Sequence, residues 1–300
     1  MTKILIINSY LHEKNKQGLA SILNYMQRQK HIEYHIGTIN DISNYDIIYS
    51  PSEMINTSLY PTKKFIFGPH FSTFPNHNQL HALQNHVYRN SIYIQPSEWT
   101  VQLWKNMGAE QFLTLKCFPF PVNTERFKPL SIKETSTTEE KINVLVYYKH
   151  RHPNELKQIK DFLTQQKISN YRIFDYDQRY NEEDYLSYLQ KCKYGIVLDA
   201  HESQGFAIEE ALACDVPLLV WNAQTMNQEL NSHSQPIPCT SIPYWGNQCG
   251  EYFHHHHELA STFKTFKTKL EEKQYSPRQY ILDNLSTEKC AERFMKMIII

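Results

Sequence analysis

Short apolar runs alternate with amphipathic segments along the chain. In the first half, runs typical of buried strands cover residues 3–8, 33–36, 46–49, 64–67, 91–94 and 112–117. Between them, residues 18–29 carry apolar side chains at helical spacing, and Ser97 is placed to begin another helix. Strands that are apolar throughout and alternate with helices indicate a parallel sheet covered on both faces. We therefore predict an α/β domain over residues 1–130.

The same alternation starts again after a polar, aperiodic stretch at residues 131–140, which has the composition of a linker. Strands are then predicted at 143–148, 172–174, 195–198 and 217–221, and helices at 154–165, 182–191, 206–214 and after Pro277. This pattern predicts a second domain over residues 141–300, whose last helix can cross back to the first domain. Ligands of doubly wound sheets bind beyond the carboxyl ends of the strands. We expect two Rossmann-like domains that face each other across a cleft.

The composition excludes several classes of protein. Of the 300 residues, 41% are apolar and 21% charged, which excludes a disordered or collagen-like chain. The 31 basic and 31 acidic residues cancel, so no basic excess points to a nucleic-acid partner. Apolar runs fall short of the roughly 18 residues that span a bilayer, which leaves only peripheral membrane contact open. Six cysteines without a C-x-x-C pair indicate free thiols, and we expect a cytoplasmic protein.

The most specific chemistry lies where the third strand of the second domain ends, at Asp199. A glycine-containing turn follows, and a helix is predicted to begin near Phe206. The first N–H groups of a helix and its positive dipole bind phosphate, and Gly205 lets a ligand approach the backbone closely. Glu202 lies in the turn and Glu210 lies one turn into the helix. Two carboxylates can therefore bind separate hydroxyl groups of one ligand around a shared anion site.

This segment resembles the E-x7-E signature of retaining GT-B glycosyltransferases of the family 4 type, written E-x-F-G-x4-E-A-x-A-x-G-x-P. The matching residues are Glu202, Gly205, Glu210, Ala211, Ala213 and Pro217. Gln204 stands in place of the Phe, and Asp215 stands in place of the later Gly, in a turn that Asp can also occupy. Residues 95–104 and 121–129 are similar to the stretches that close the first domain of the family.

The resemblance implies the GT-B fold and transfer of a sugar from a UDP- or GDP-sugar to a hydroxyl acceptor such as a glycan. It also implies retention of the anomeric configuration, with no cofactor and no catalytic metal. Glu210 would hold the ribose diol and Glu202 the hydroxyl groups of the donor sugar. The residues near them would line the donor site: Ser203, Gln204, Gly205 and Phe206.

Further site residues follow from the same resemblance. Family members have an Arg and a Lys after the first strand of the second domain, where this chain has Lys149 and Arg151. Either could bind the diphosphate, and surface charge is the alternative interpretation. In the first domain, His70 could hydrogen-bond a sugar hydroxyl or serve as a structural histidine. Gly18 is the one match to the glycine-rich loop that follows the first strand.

Several alternatives stay open. Asp175 and Asp177 form the D-x-D string of metal-dependent GT-A enzymes, and residues 254–257 are four consecutive histidines; we interpret both as structural. Glu209 is expected on a solvated face of its helix. A non-catalytic module that binds a nucleotide sugar or a glycan is the main alternative function. A nucleotide-sugar epimerase is a third, and it would require acid/base carboxylates that the sequence does not identify.

Overall fold

The computed structural model describes residues 2–69, 77–84, 87–130, 143–233 and 235–299. Most of the chain forms two compact units, Met1–Pro121 with Leu285–Ile300, and Val122–Asn284. The first boundary therefore precedes the expected linker at 131–140, a segment that lies outside the described residues, as does His70. The last helical stretch is part of the first unit.

The described residues form eleven strands and nine helices. The strands are β1 (Thr2–Ile7), β2 (Ile32–Gly37), β3 (Ile47–Ser50), β4 (Lys64–Phe67), β5 (Ser91–Gln95), β6 (Leu115–Cys117), β7 (Asn143–Lys149), β8 (Tyr171–Asp175), β9 (Cys192–Asp199), β10 (Leu218–Trp221) and β11 (Gly250–Phe253). The helices are α1 (Glu13–Arg28), α2 (His77–Gln84), α3 (Glu98–Asn106), α4 (Pro153–Gln165), α5 (Glu182–Leu189), α6 (Phe206–Ala213), α7 (Leu259–Glu271), α8 (Pro277–Leu285) and α9 (Thr287–Ile299). None of these described helices is long and apolar enough to cross a membrane.

The first unit is built on a parallel sheet in the order β2-β1-β3-β4-β5-β6. Aromatic residues fill its core: the rings of Phe65 and Phe67 stack at 5.8 Å, and Tyr93 stacks on Trp104 of α3 at 4.7 Å. The amphipathic helix α9 packs against α1. Its Phe294 lies 5.7 Å from the ring of Phe118. The end of the chain therefore completes the core of the unit in which the chain begins.

Helix α1 differs from its prediction, since it begins at Glu13 rather than at Gly18. The expectation that Gly18 lies in a loop is wrong. A Cβ at this position would lie 3.1 Å from both the Phe120 Cβ and the Pro121 Cδ atoms. Gly18 is therefore a packing residue inside a helix, where the absent side chain lets another segment approach closely.

The second unit is built on a five-stranded parallel sheet in the order β11-β10-β9-β7-β8. Counted from the start of this unit, the order is 2-1-3-4-5, the flavodoxin-like form of the doubly wound fold. The direction of winding reverses between β7 and β9, and ligands bind at such a reversal. Lys149 at the end of β7 and Asp199 at the end of β9 are register partners across it. The fold thus places a cation and a carboxyl group at the expected ligand position.

Helix α6 of this unit ends in a turn formed by Asp215 and Val216. The N–H of Asp215 donates to the carbonyl of Leu212, and the N–H of Val216 donates to that of Ala211, as in a Schellman motif. Asp215 has a φ of 60°, so it does occupy the turn conformation that glycine favours. Beyond the helix, the guanidinium of Arg278 donates to the carbonyls of Ala213 and Phe127 at 2.7 and 3.0 Å.

Strand β11 was not predicted, because its four residues carry too little apolar pattern. Gly250 at its start has a φ of 141°, and a Cβ there would lie 1.8 Å from the Leu218 carbonyl oxygen. We expect Gly250→Ala to lower the free energy of unfolding by about 3 kcal/mol or more, because the clash is with backbone that cannot rotate away.

Gly108→Ala is the matched control for this effect. Gly108 also has a positive φ, 87°, but the nearest atom to an added Cβ is the Gln111 Nε2 at 3.6 Å. Only backbone strain remains there, so a loss of about 1–2 kcal/mol is expected. Urea unfolding followed by circular dichroism measures both variants, and equal losses would contradict the clash with the Leu218 carbonyl as the cause of the larger effect at Gly250.

Candidate functional site

The loop between β9 and α6 presents the uncapped start of a helix. Gly205 is the N-cap residue of α6 and has a φ of 93°, in the left-handed region. A Cβ at Gly205 would make only ordinary contact, 3.4 Å from the Cβ of Glu202, so backbone conformation rather than space requires glycine. Because the N-cap residue has no side chain, the first N–H groups of α6 are available to an anion.

A buried ion pair lies beside this helix start. The Nζ of Lys149 is 2.5 Å from the Oε1 of Glu202, and the two side chains are only 15% and 14% exposed. Burial acts to lower the pKa of Lys149, but the charges of Asp199 and Glu202 outweigh it and raise that pKa. Burial likewise acts to raise the pKa of Glu202, and Lys149 outweighs it and lowers that pKa. Both members of the pair are therefore charged at neutral pH.

Asp199 completes the group as a fully buried side chain. Its backbone carbonyl accepts hydrogen bonds from the Nη1 of Arg151 at 3.2 Å and the Oγ of Ser241 at 2.8 Å. Apart from the neighbouring carboxylate of Glu202, neither carboxyl oxygen of Asp199 has a hydrogen-bond partner among the described residues. Burial, together with the negative charge of Glu202, raises the pKa of Asp199 well above its ordinary value.

Arg151 does not lie at the surface, where a cation that binds an anion is expected. Its side chain is 0% exposed and forms a two-bond ion pair with Glu155, at 2.6 and 2.9 Å. Its Nη1 also donates to the carbonyls of Asp199 and Trp221, both at 3.2 Å. Arg151 thus ties the start of α4 to the ends of β9 and β10, while Lys149 alone of the two cations reaches Glu202.

The carboxylates of α6 are both buried. Glu210 is 5% exposed, whereas Glu209 is 1% exposed, so the expectation that Glu209 faces solvent is wrong. The helix is enclosed on nearly all sides, since every residue from Ile208 to Ala213 is buried. The Nε2 of Gln204 donates to the Oε2 of Glu209 at 3.1 Å, and burial raises the pKa of Glu209 well above its ordinary value.

Two further predicted site residues lie in this loop or at its end. Ser203 is half-buried in the bend before α6, and Phe206 is half-buried as the first residue of the helix. The structure therefore brings Lys149, Glu202 and the 203–206 segment together in the second unit. Gly18 belongs to the first unit, in the interior of α1.

Several tyrosines near α6 were missed by the sequence analysis. The hydroxyl of Tyr185 donates to the Ala207 carbonyl at 2.8 Å, which holds the first turn of α6 in place. Tyr180 packs 5.1 Å from the Tyr185 ring and 5.3 Å from the Phe174 ring. Tyr176 lies over the cation, with its ring centre 4.6 Å from the Nζ of Lys149. The unusual count of 20 tyrosines was the only signal that could have indicated this cluster.

The two candidate metal motifs serve local structure. Asp175 accepts a hydrogen bond from the N–H of Asp177 at 3.0 Å, and the Asp177 carboxylate contacts the Nε2 of His150 at 3.0 Å. In the histidine run, the N–H groups of His254 and His255 donate to the carboxylate of Glu258 at 2.8 and 2.9 Å. Within the described ranges, no group of three or more His, Cys, Asp or Glu side chains could hold a metal ion.

Comparison with known proteins identifies the fold. No protein-family model and no curated protein sequence matches the chain. Solved structures match over 99% of it: a glycosyltransferase from Rickettsia africae ESF-5 (TM-score 0.62, 13% identity, 97% of that chain) and sucrose-phosphate synthase from Thermosynechococcus elongatus (0.59, 8%, 98%). A third is the catalytic domain of starch synthase IV from Arabidopsis thaliana bound to ADP and acarbose, with TM-score 0.56 and 9% identity over 99% of this chain and 98% of that one. The chain has the GT-B fold, with two Rossmann-like domains.

The raised pKa of Glu209 has a consequence for stability. A buried carboxyl group with a raised pKa contributes stability that is present below about pH 4.5 and is lost as the pH rises through its pKa in the folded state. Glu209→Gln keeps the shape and the bond from Gln204 without the charge. We expect this variant to be more stable than wild type above neutral pH, by an amount that grows by up to about 1.4 kcal/mol per pH unit.

Urea unfolding at several pH values measures this difference. Glu258→Gln is the control with the opposite sign, because hydrogen bonds from the His255 and His254 N–H groups lower the pKa of Glu258. It is expected to be less stable than wild type at neutral pH, with the difference vanishing as the pH falls. A Glu209→Gln curve parallel to that of wild type would contradict the assignment.

Proposed function

We propose that the protein is a retaining glycosyltransferase that moves a sugar from a nucleotide-diphosphate sugar to a hydroxyl acceptor. One observation carries the proposal: the uncapped start of α6 lies beside the buried Lys149–Glu202 pair, where the winding of a parallel sheet reverses. An uncapped helix start and a cation suit a diphosphate, and a charged carboxylate suits sugar hydroxyl groups. Full-length likeness to sugar-transferring enzymes of the GT-B fold supports the same conclusion.

Lys149 is the better candidate for the diphosphate contact. Its side chain is 15% exposed and its ammonium carries three N–H donors, so it can bind a phosphate oxygen while it keeps its bond to Glu202. Arg151, in contrast, is fully buried and is engaged by Glu155 and by two backbone carbonyls. We assign to Arg151 the task of holding the strand ends in place.

The two carboxylates of the E-x7-E pair bind different hydroxyl groups in this proposal. Glu202, ionised through its contact with Lys149, accepts hydrogen bonds from the donor sugar. Glu210 accepts them from the ribose diol, and its burial excludes water that would compete. The departing diphosphate takes the proton of the acceptor on the same face of the sugar. The protein then supplies position and charge stabilisation rather than a general base.

Nucleotide affinity tests the assignment of Glu210. Glu210→Gln is expected to weaken binding of the nucleoside diphosphate by roughly 10- to 150-fold, or about 1.5–3 kcal/mol, because a charged acceptor of two hydroxyl hydrogen bonds is lost. Glu209→Gln is the matched control in the neighbouring position, and its binding free energy is expected to stay within about 0.5 kcal/mol of wild type, because Gln keeps the shape of the side chain and can still accept the hydrogen bond from Gln204. Calorimetric titration with UDP, GDP and ADP measures both. Equal affinities for Glu210→Gln and wild type would show that the ribose is held elsewhere.

Donor turnover tests the reaction itself. We expect release of nucleoside diphosphate from the nucleotide sugar that binds, undiminished by EDTA, because Lys149 and the α6 dipole supply the positive charge. The anomeric configuration of the first product, followed by proton NMR, is expected to match that of the donor. Loss of turnover in EDTA with recovery in manganese would contradict metal independence. Binding of nucleotide sugars without turnover on any hydroxyl acceptor would favour the non-catalytic module.

A further inference from the structure

The register of the second sheet brings Asp199 to the Lys149–Glu202 pair. Lys149 and Asp199 are the last residues of β7 and β9, and they are partners across the reversal of the sheet. Side chains of register partners project to the same side of a parallel sheet. The charges of both Asp199 and Glu202 act on the ammonium of Lys149. One ammonium group therefore stands among two carboxyl groups.

The charge of this group decides how well it can accept an anion. With both carboxyl groups ionised, Lys149, Glu202 and Asp199 would sum to one negative charge and would repel a diphosphate. With a proton on Asp199, the sum is zero and the ammonium faces the ligand balanced by Glu202 alone. A protonated Asp199 also has a donor to offer to Glu202, which suits a buried carboxyl group that has no other hydrogen-bond partner among the described residues.

Resting on the proposed function, we propose that Asp199 is a positioning residue that carries a proton whenever a nucleotide-diphosphate sugar is bound, so that donor binding draws a proton from solution onto its carboxyl group. The proton goes from water to one carboxyl oxygen, and no bond in the ligand is made or broken. Asp199 acts on the donor only through Lys149 and Glu202. In its protonated form it adds no charge, so the charges of these two side chains cancel.

The other ionisable groups around Asp199 do not take up this proton. Tyr147 projects from β7, and burial raises its pKa well above the ordinary value, so it stays neutral. Burial also raises the pKa of the Cys239 thiol to about 12. The guanidinium of Arg151 faces the backbone carbonyl of Asp199 rather than its carboxyl group. His201, on the same loop, has its pKa lowered by burial, so it is neutral above pH 7.

The sign of the pH dependence follows from these charges. The ligand brings negative charge, which favours the protonated form of Asp199, so protons are taken up on binding. Donor affinity must therefore fall as the pH rises through the pKa of Asp199 in the free protein. If the ligand raises the pKa of Asp199 by one unit, affinity falls by about tenfold across this range.

Calorimetry with the full chain tests the proposal, with UDP-glucose and GDP-mannose as probes. Their diphosphates are esterified at both ends and have no second ionisation, so they release no proton of their own. Titrations are run between about pH 7 and pH 8.5, where the uracil and guanine rings keep their protons, in HEPES and in Tris, whose heats of ionisation differ, and the difference in binding heat counts the protons. Wild type is expected to take up a proton and to lose affinity with rising pH.

Asp199→Asn is the decisive variant, because it keeps the shape of the carboxyl group and cannot titrate. We expect binding without proton uptake and with an affinity that does not change with pH. Asp177→Asn removes an exposed carboxylate of the same unit and is expected to behave as wild type. A merely structural role would weaken Asp199→Asn equally at every pH and leave its proton uptake intact.

Three results would overturn the proposal. Wild type that binds a nucleotide sugar without proton uptake contradicts it while leaving the proposed function in place. An Asp199→Asn variant with the proton uptake of wild type assigns the proton to another group. Failure of any nucleotide sugar to bind at any pH overturns the proposed function and the inference together. If Asp199→Asn does not fold, a wild type that binds without proton uptake still overturns the proposal.

Discussion

The arrangement of the candidate site depends on one ammonium group paired with a buried carboxylate where a parallel sheet reverses its winding. Burial acts to lower the pKa of Lys149 and to raise that of Glu202, and the attraction between the two side chains outweighs both effects. The pair fixes the loop that precedes α6, because Glu202 is part of that loop. The helix start, the glycine turn and the cation are therefore positioned by the same contact.

A second buried cation, Arg151, stabilises the strand ends next to this contact. The guanidinium of Arg151 donates to the carbonyls at the ends of β9 and β10, and the first of these also accepts from the Oγ of Ser241. Its charge is balanced by Glu155 rather than by a site residue. The two cations at the end of β7 are separated by a single residue, yet Arg151 binds backbone carbonyls of the framework while Lys149 pairs with Glu202. Fold stability and site chemistry are thus divided between neighbouring side chains.

Much of this fold could be predicted from the sequence, because the strands are short apolar runs that are easily distinguished from the amphipathic helices between them. The sequence also predicted the loop with Glu202, Gly205 and the start of α6, since strand, glycine and helix follow each other locally. Burial around α6 could not be predicted in the same way. Glu209 lies inside the unit because neighbouring elements enclose the whole helix, and that enclosure is set by residues far away in the chain. The same holds for Arg151, whose partners include a carbonyl of β10 that local pattern cannot reveal.

The closeness of Lys149 to Glu202 bears on which anions the site accepts. A small inorganic anion that binds Lys149 weakens the attraction between the ammonium and Glu202 and offers nothing to that carboxylate in return. A ligand that carries both phosphate groups and sugar hydroxyl groups compensates Glu202 for the weakened attraction to Lys149. Its hydroxyl groups donate to Glu202 while its phosphate binds the ammonium. In the proposed function, the pair would therefore favour a ligand that carries both phosphate and hydroxyl groups over free inorganic phosphate. Selectivity of this kind would arise before any part of the ligand is recognised by shape.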